Sequence, residues 1–173
     1  MNQDALPAGR PDARAVALIT GASGGLGKAF AVEAASRGWP LCLTDLHAEP
    51  LETLASGLRR TYGVPVRVAA CDLTEPASRA AFFQRLQGDG VRVWALINVA
   101  GTDYEGPSFE QTSQQIRTII RLNVEGTLEM IHAVLAVRDP LRPFRIINVR
   151  VRPVNHWFRP DVPITDCRAL AAW

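Results

Sequence analysis

Short uninterrupted runs of apolar residues alternate along the chain with longer stretches whose apolar residues recur every three or four positions. The uninterrupted runs occupy residues 15–20, 41–44, 64–70, 91–99 and 144–149. Runs of this length predict strands that are buried on both faces, as strands are in a parallel sheet. The sequence therefore predicts five strands with little contact to solvent.

The stretches between these runs predict amphipathic helices. Three of them cover residues 25–37, 51–62 and 74–87, the third capped by Thr74. A fourth and longer helix runs from a Ser113 cap to Val137. Its apolar face consists of Ile116, Ile120, Thr127, Ile131 and Val134. Since right-handed crossovers place helices on the two sides of a sheet, the order predicts an α/β fold, a doubly wound parallel sheet with helices on both faces.

The regular pattern covers only part of the 173 residues. Residues 1–14 are polar and contain two prolines, and we expect a disordered leader there. Residues 150–173 follow neither a strand nor a helix pattern and predict an irregular tail. The domain itself is expected to span residues 15–149.

Composition and charge narrow the choice of partners. The 19 basic and 17 acidic residues give a net charge of +2, too balanced for a nucleic-acid or anionic-membrane surface. No export signal and no apolar stretch of membrane-spanning length occurs in the sequence. The 3 cysteines show neither a metal-ligand spacing nor a disulfide framework. These features predict a cytoplasmic protein with a small-molecule or protein partner.

A glycine-rich turn between the first strand and the first helix predicts a dinucleotide site. It reads Thr20, Gly21, Ala22, Ser23, Gly24, Gly25, Leu26, Gly27. Glycines at such a turn let backbone N–H groups approach a phosphate at the helix N-terminus. Asp45 ends the second strand 18 residues after Gly27, where a carboxylate accepts hydrogen bonds from an adenosine ribose. The combination predicts a Rossmann-like fold.

The same residues resemble the short-chain dehydrogenase/reductase family. Thr20, Gly21, Gly25 and Gly27 match its TGxxxGxG fingerprint, in which Ser23 and Leu26 also lie. Three further motifs follow in the family's order: Asp72-Leu73, Asn98-Val99-Ala100-Gly101 and Asn123. The resemblance covers residues 15–149.

This resemblance implies a role for each motif. Asp72 and Leu73 would contact the adenine, Asn98, Ala100 and Gly101 would belong to the cofactor site, and Asn123 would hold a water in the catalytic region.

Structural explanations for these residues stay open beside the functional ones. The glycines could form only a tight turn, and Asp45 could be a solvated strand end. Asp72 could instead be a turn residue that leads into a helix. Asn98 and Asn123 could be structural ties, because a buried amide must find partners. Outside the motifs, we interpret His47, His132 and the Arg59-Arg60 pair as ordinary surface or helix residues.

Charge suggests which dinucleotide binds. A carboxylate at Asp45 would repel a 2′-phosphate. Gly24 stands where relatives that prefer NADP often carry a basic residue. We therefore expect NAD, with NADP the weaker alternative.

The catalytic elements that the resemblance implies are not recognisable in the sequence. Arg150 and Val151 stand where the family has a serine pair. Tyr62 and Tyr104 lack a lysine four residues later, and the single lysine, Lys28, lies next to the glycine turn. We expect a C-terminally incomplete fold from a frameshifted or truncated gene, with a genuine divergent tail as the alternative.

Two functional interpretations follow. One is an NAD(P)-dependent oxidoreductase that acts on a hydroxyl or carbonyl compound, as the resemblance implies, with its activity impaired in this chain. The other is a non-catalytic dinucleotide-binding fragment or a regulatory NAD-binding protein. Relatives in the family are usually oligomers, so we expect a homo-oligomer formed through the helix from Ser113 to Val137.

Overall fold

The structure, a computed structural model, describes residues 12–104 and 110–149. In these ranges five strands form one parallel sheet in the order β3-β2-β1-β4-β5. The strands are β1 (Ala15–Thr20), β2 (Leu41–Thr44), β3 (Val66–Val68), β4 (Arg92–Asn98) and β5 (Arg145–Asn148). The doubly wound parallel sheet predicted from the apolar runs is confirmed.

Helical segments connect the strands. They are α1 (Gly25–Ser36), α2 (Ala48–Tyr62), α3 (Pro76–Gly88), α4 (Ser113–Ile120), a π-helical turn (Arg121–Gly126), α5 (Thr127–Val134) and a short 3₁₀ turn (Leu135–Val137). Buried residues of α1 and α2 share one core with the sheet, and those of α3 and α5 share a second core. Helices therefore cover both faces, as predicted.

Alternation along β1 divides its side chains between the two cores. Ala17 and Ile19 face the core under α1 and α2, whereas Val16 and Leu18 face the core under α3 and α5. All six residues of β1 are buried, because the strand has a neighbour on each side and helices above and below. This double burial explains the uninterrupted apolar run in the sequence.

Two predicted helix caps were misplaced by local hydrogen bonding. Thr112, not Ser113, caps α4: its hydroxyl accepts from the N–H of Gln115, whose side chain accepts from the N–H of Thr112 in return. Thr74 does not cap α3, because its N–H and hydroxyl both donate to Asp72. The helix starts two residues later at Pro76, a residue suited to the first helical position.

The predicted continuous helix over 113–137 is interrupted, and its predicted apolar face is divided. The π-helical turn inserts extra residues into one turn, which rotates the two halves relative to each other. Val134 is fully buried, whereas Ile116 and Ile120 are 42% and 53% exposed. Sequence periodicity assumed 3.6 residues per turn throughout and so placed all of them on one face.

Two other side chains differ from the sequence prediction. Arg59 is not simply solvated: its Nε and Nη2 atoms donate to the carbonyl oxygen of Val66 at 3.0 and 2.6 Å. The helical spacing of Ala80, Phe83 and Leu86 predicts that all three face the core, but Ala80 is exposed, whereas Phe83 and Leu86 are buried. The partner of Arg59 lies seven residues away in a different element, which helical periodicity does not indicate.

The predicted leader and tail stay predictions. Most of the predicted leader and the whole predicted tail, residues 150–173, lie outside the described residues. Within the described ranges, no helix has the length and apolarity needed to cross a membrane.

Candidate functional site

The strand order creates a crevice at the carboxyl edge of the sheet. After β1 the chain crosses to β2 on one side, and β4 lies on the other side of β1. The connections that leave β1 and β4 therefore diverge, and such a switch point is where open α/β sheets bind ligands. Thr20 and Asn98, the last residues of the two strands, are paired in register at this point.

Backbone contacts bring the glycine turn unusually close to the end of β4. Gly21 has φ +63°, and a Cβ atom there would lie 2.7 Å from the Cα and N atoms of Ala100. A Cβ atom on Gly27 would lie 2.0 Å from the carbonyl oxygen of Gly21. Neither position can hold a side chain without moving backbone. By contrast, a Cβ atom on Gly25 would meet nothing within 4 Å.

Helix α1 begins at this turn with its N–H groups uncapped by any side chain. Gly24 is the N-cap residue and has an extended backbone, φ −72° and ψ 165°. The first turn of a helix leaves N–H groups without intrahelical partners, and they carry the positive end of the helix dipole. Together with the open space at Gly25, this arrangement suits a phosphate group.

Thr20 acts as a tie between the two central strands. Its hydroxyl oxygen accepts hydrogen bonds from the N–H groups of Val99 and Ala100 at 3.1 and 3.2 Å. Thr20 is buried, and Ala100 is partly buried beside the glycine turn. The predicted site residues Thr20 and Ala100 are thus brought together, in contact with each other.

Asp45 faces the glycine turn from the end of β2. One carboxylate oxygen, Oδ2, accepts from the N–H of Ser23 at 2.9 Å and from its hydroxyl at 2.6 Å. The other, Oδ1, accepts from the N–H of Leu46 at 2.8 Å. Asp45 is therefore not merely a solvated strand end. Its charge is held at the rim of the turn, with Oδ1 still able to accept a further hydrogen bond.

Asp72 occupies a turn that leads into α3. Its Oδ1 atom accepts from the N–H and the hydroxyl of Thr74 at 2.9 and 2.6 Å, an Asx turn. Its own N–H donates to the hydroxyl of Ser78 at 3.0 Å. The preceding Cys71 is buried, and burial raises the pKa of its thiol, which the nearby hydroxyl of Ser78 opposes. These contacts agree with the interpretation of Asp72 as a turn residue that leads into a helix.

Asn98 ties β4 to β5. It is 3% exposed, and its amide Nδ2 donates to the Oδ1 atom of Asn148, the residue paired with it across the two strands, at 2.9 Å. Its own Oδ1 atom is buried without a hydrogen-bond partner. The structural interpretation of Asn98 agrees with this geometry.

Asn123 lies in the π-helical turn and contacts the segment after β4. Its Oδ1 atom accepts from the N–H of Thr102 at 2.9 Å, and its Nδ2 atom donates to the carbonyl oxygen of Thr102 at 2.7 Å. Gly101 lies beside this amide: a Cβ atom on Gly101 would lie 3.4 Å from the Oδ1 atom of Asn123. The side chain is exposed rather than buried on an apolar face, because the π-helical turn rotates it outward.

Three residues near the site went unrecognised in the sequence. Arg79 is 7% exposed and hydrogen-bonded to the carbonyl oxygen of Leu73 and to Glu125. A Cβ atom on Gly126 would lie 2.9 Å from the same carbonyl oxygen. A signal existed for the arginine, since it shares a helix face with Phe83 and a charged residue there requires a partner.

The crevice thus gathers the glycine turn, Asp45 and the segment after β4, while Asp72, Leu73 and Asn98 are engaged in structural contacts near it. In the part of the chain that the structure describes, no group of His, Cys, Asp or Glu is arranged to hold a metal ion. The arrangement offers an anion-binding helix end beside a carboxylate, which is the pattern of a dinucleotide site.

Comparison with known proteins agrees with this geometry. The family model described as short chain dehydrogenase matches residues 15–151. The chain belongs to the short-chain dehydrogenase family. It is 35% identical over 119 residues to D-threitol dehydrogenase from Mycolicibacterium smegmatis, covering 69% of this chain and 45% of that enzyme. Very-long-chain 3-oxoacyl-CoA reductase from Scheffersomyces stipitis is 35% identical over 126 residues, which is 70% of this chain and 36% of the reductase.

Solved structures of short-chain dehydrogenases share the fold. A short-chain dehydrogenase from Sphingobium yanoikuyae in complex with NADPH superimposes with a TM-score of 0.70 at 36% identity. The match covers 78% of this chain and 52% of that one. This chain therefore spans about half of that structure and less than half of the two curated relatives.

We predict that Gly27→Ala destabilises the protein by about 1–3 kcal/mol, the usual cost of overpacking, because the new Cβ would meet the carbonyl oxygen of Gly21. The matched control is Gly57→Ala in α2, where a Cβ meets nothing within 4 Å. Removing a helical glycine there should stabilise by about 0.5–1 kcal/mol. Urea unfolding of both variants measures the difference, and equal unfolding free energies would contradict the close approach.

Proposed function

We propose that this chain binds NAD in the crevice between β1 and β4, as a short-chain dehydrogenase that acts on a hydroxyl or carbonyl compound. The observation that carries the proposal is the open space at Gly25 beside the uncapped N-terminus of α1. A pyrophosphate placed there would accept from backbone N–H groups. Asp45 accepts a hydrogen bond from Ser23 of this turn, so its carboxylate is suitably placed for the adenosine ribose.

The environment of Asp45 favours NAD over NADP. The glycine turn offers no basic side chain at Gly24 to compensate a 2′-phosphate, and the carboxylate held by Ser23 would repel one. At about 4 Å and an effective dielectric constant near 20, two like charges repel by about 4 kcal/mol. Solved relatives bind the other cofactor too, the Sphingobium yanoikuyae enzyme being a complex with NADPH. The preference is therefore argued from this chain's own residues.

Hydride transfer is proposed to be impaired in this chain. The family uses a tyrosine with a lysine four residues later, and the 173 residues contain a single lysine, Lys28, in the first turn of α1. A tyrosine with an ordinary pKa near 10 is a poor base at neutral pH without such a neighbour. The second candidate function is accordingly non-catalytic dinucleotide binding, which the same crevice supports.

We propose a cytoplasmic location, because cysteines stay free in a reducing compartment. Cys42 and Cys71 are both free and buried. Burial raises the pKa of Cys42 to about 12, so its thiolate is not formed at neutral pH.

The fourth helical region carries an exposed apolar stripe, which we define as Ile116, Ile120, Val124 and Leu128. These side chains are 42%, 53%, 50% and 60% exposed. Neighbouring stripe residues are four positions apart. This spacing is longer than one turn of an α-helix and shorter than one turn of a π-helix, so the π-helical turn in the middle keeps the stripe in line. An aligned apolar surface of this kind is typical of helix pairing.

We propose that a second copy of this chain covers the stripe in antiparallel orientation. Arg117 and Glu129 are both exposed, and each follows directly after a stripe residue, so both lie on the same flank. Each is six residues from Asn123. A two-fold axis at that level would therefore place Arg117 of one copy opposite Glu129 of the other, a self-complementary contact.

The NAD proposal predicts that Gly25→Val abolishes NADH binding without unfolding the domain. The valine side chain would enter the space assigned to the pyrophosphate, where its Cβ atom would meet nothing within 4 Å. We expect the NADH affinity to fall by more than about tenfold, measured by fluorescence titration, with the unfolding free energy within about 0.5 kcal/mol of wild type. Gly88→Val, equally open and at the end of α3, is the control and should bind normally. Unaltered NADH binding by Gly25→Val would refute the placement of the pyrophosphate at Gly25. Oxidation of NADH by the wild-type chain in the presence of ketones would refute the proposed impairment of hydride transfer.

Asp45→Asn tests the cofactor preference, because it removes the charge and keeps the shape. We expect the ratio of NADH to NADPH affinity to fall by at least about tenfold. Ser23→Ala keeps the carboxylate and loses only a hydroxyl contact, so its ratio should stay close to wild type. An unchanged ratio in Asp45→Asn would show that the carboxylate does not face the 2′ position.

The pairing proposal predicts a wild-type dimer that Leu128→Arg converts to monomer, as measured by sedimentation equilibrium. Arg117→Glu should weaken the dimer by repulsion from Glu129, and the double variant Arg117→Glu/Glu129→Arg should restore it. A monomeric wild type, or a double variant as weak as the single one, would contradict the antiparallel arrangement.

A further inference from the structure

We infer that Arg79 is a positioning residue of the dinucleotide site, which acts with Glu125 to hold the π-helical turn and, through it, Asn123. The inference rests on the proposed function, since it concerns the same crevice. Neither residue belongs to the glycine turn or to the motifs of the sequence analysis.

The guanidinium of Arg79 joins two segments that are far apart in the chain. It lies buried on the inner face of α3, where the side chain is 8% exposed. Its Nη1 atom donates to the carbonyl oxygen of Leu73 at 2.7 Å, and its Nη2 atom donates to Oε1 of Glu125 at 2.8 Å. The rigid fork of an arginine fixes both partners at once.

Gly126 lets the π-helical turn approach the same carbonyl. A Cβ atom there would lie 2.9 Å from the carbonyl oxygen of Leu73 and 3.4 Å from the Cβ of Leu73. Any side chain would push the turn away from the loop that follows β3. The carbonyl oxygen of Leu73 therefore contacts both the guanidinium of Arg79 and the backbone of the π-helical turn at Gly126.

The opposite side of the π-helical turn is held by Asn123. Asn123 and Glu125 are two positions apart, which in a helix places them on nearly opposite sides. Asn123 makes two hydrogen bonds with the backbone of Thr102, and Glu125 makes its ion pair with Arg79. The turn is thus held between the segment after β4 and the loop after β3, which border the crevice from two directions.

The energetics point to positioning rather than to stability. A buried charge rarely stabilises more than an apolar residue of similar volume, because it loses water, and in this pair the guanidinium of Arg79 is the buried charge. The neighbours of Arg79 on α3 include Phe82 and Phe83, so an apolar side chain would suit this core. What the arginine adds is a defined geometry: its buried guanidinium holds Glu125 at 2.8 Å, whereas the other ion pair between the start of α3 and the turn, Glu75 with Arg121, is exposed and 4.0 Å long. A continuous helix would rotate Asn123 away from Thr102.

The first test compares Arg79→Met with wild type in two measurements. NADH affinity should fall by about tenfold, because the π-helical turn and Asn123 would no longer hold the segment after β4 at the crevice. Hydrogen exchange at the Thr102 amide, which donates to Asn123 at 2.9 Å, should accelerate by about the same factor. The reference amide is Leu41, which donates to the carbonyl oxygen of Pro65 in the sheet, and its exchange should not change.

Partner variants separate positioning from folding. Glu125→Leu, at a side chain 43% exposed, should reproduce Arg79→Met, whereas Glu125→Gln keeps an acceptor for the guanidinium and should retain most of the affinity. Arg37→Met, which removes the exposed pair of Arg37 with Glu33, is the matched control and should behave as wild type. Since Glu125 is at the surface, its variants answer the question even where Arg79→Met fails to fold.

Distinct outcomes would overturn each proposal. NADH affinities within about twofold of wild type in Arg79→Met and Glu125→Leu, with normal exchange at Thr102, would overturn the positioning role. Equal acceleration at Thr102 and Leu41 would show a general loss of stability and would overturn it too. Absence of NADH binding by wild type would refute the proposed function instead, and the exchange at Thr102 would still decide whether Arg79 holds the turn.

Discussion

The backbones at the carboxyl ends of β1 and β4 approach each other more closely than any side chain would permit. Gly21 adopts a positive φ. A Cβ atom on this residue would lie 2.7 Å from backbone atoms of Ala100. The hydroxyl of Thr20 accepts from the two N–H groups at this junction, at 3.1 and 3.2 Å. Because both strands lie in the middle of the sheet, this contact sets the width of the crevice and the direction in which α1 leaves it. The remaining features of the site are arranged around it.

Electrostatics complements this backbone arrangement. An uncapped helix end attracts an anion, and a carboxylate repels one, so the two must be separated for a dinucleotide to bind. Ser23 provides the separation: its N–H and hydroxyl both donate to Asp45, which orients the carboxylate at the edge of the glycine turn. The position proposed for the phosphate is open at Gly25, one residue after the extended N-cap. In the proposed binding mode, the N-terminus of α1 would face the pyrophosphate, and Asp45, 22 residues from Ser23 in the chain, would face the ribose.

The π-helical turn links the crevice to the outer surface. Its six residues contact Thr102 through Asn123 and α3 through Glu125, and they place Val124 in the exposed apolar stripe. In a regular α-helix the angle between successive residues differs from that in the π-helical turn, so the same three residues would point in other directions. The irregularity is therefore a consequence of long-range contacts on two sides, which include a buried arginine and a glycine pressed against a carbonyl.

Local sequence determined those features whose cause is local. Uninterrupted apolar runs marked the strands because β1 is buried on both faces, and the glycine turn with Asp45 marked the crevice because its spacing follows from one strand, one helix and a second strand. Tertiary structure decided the rest. The π-helical turn depends on Arg79 and Leu73. The role of Arg59 depends on the carbonyl oxygen of Val66. The side chain of Asn98 pairs with that of Asn148, 50 residues away. A hydrogen bond between distant residues leaves no periodic trace in the chain, so only the assembled sheet and helices reveal it.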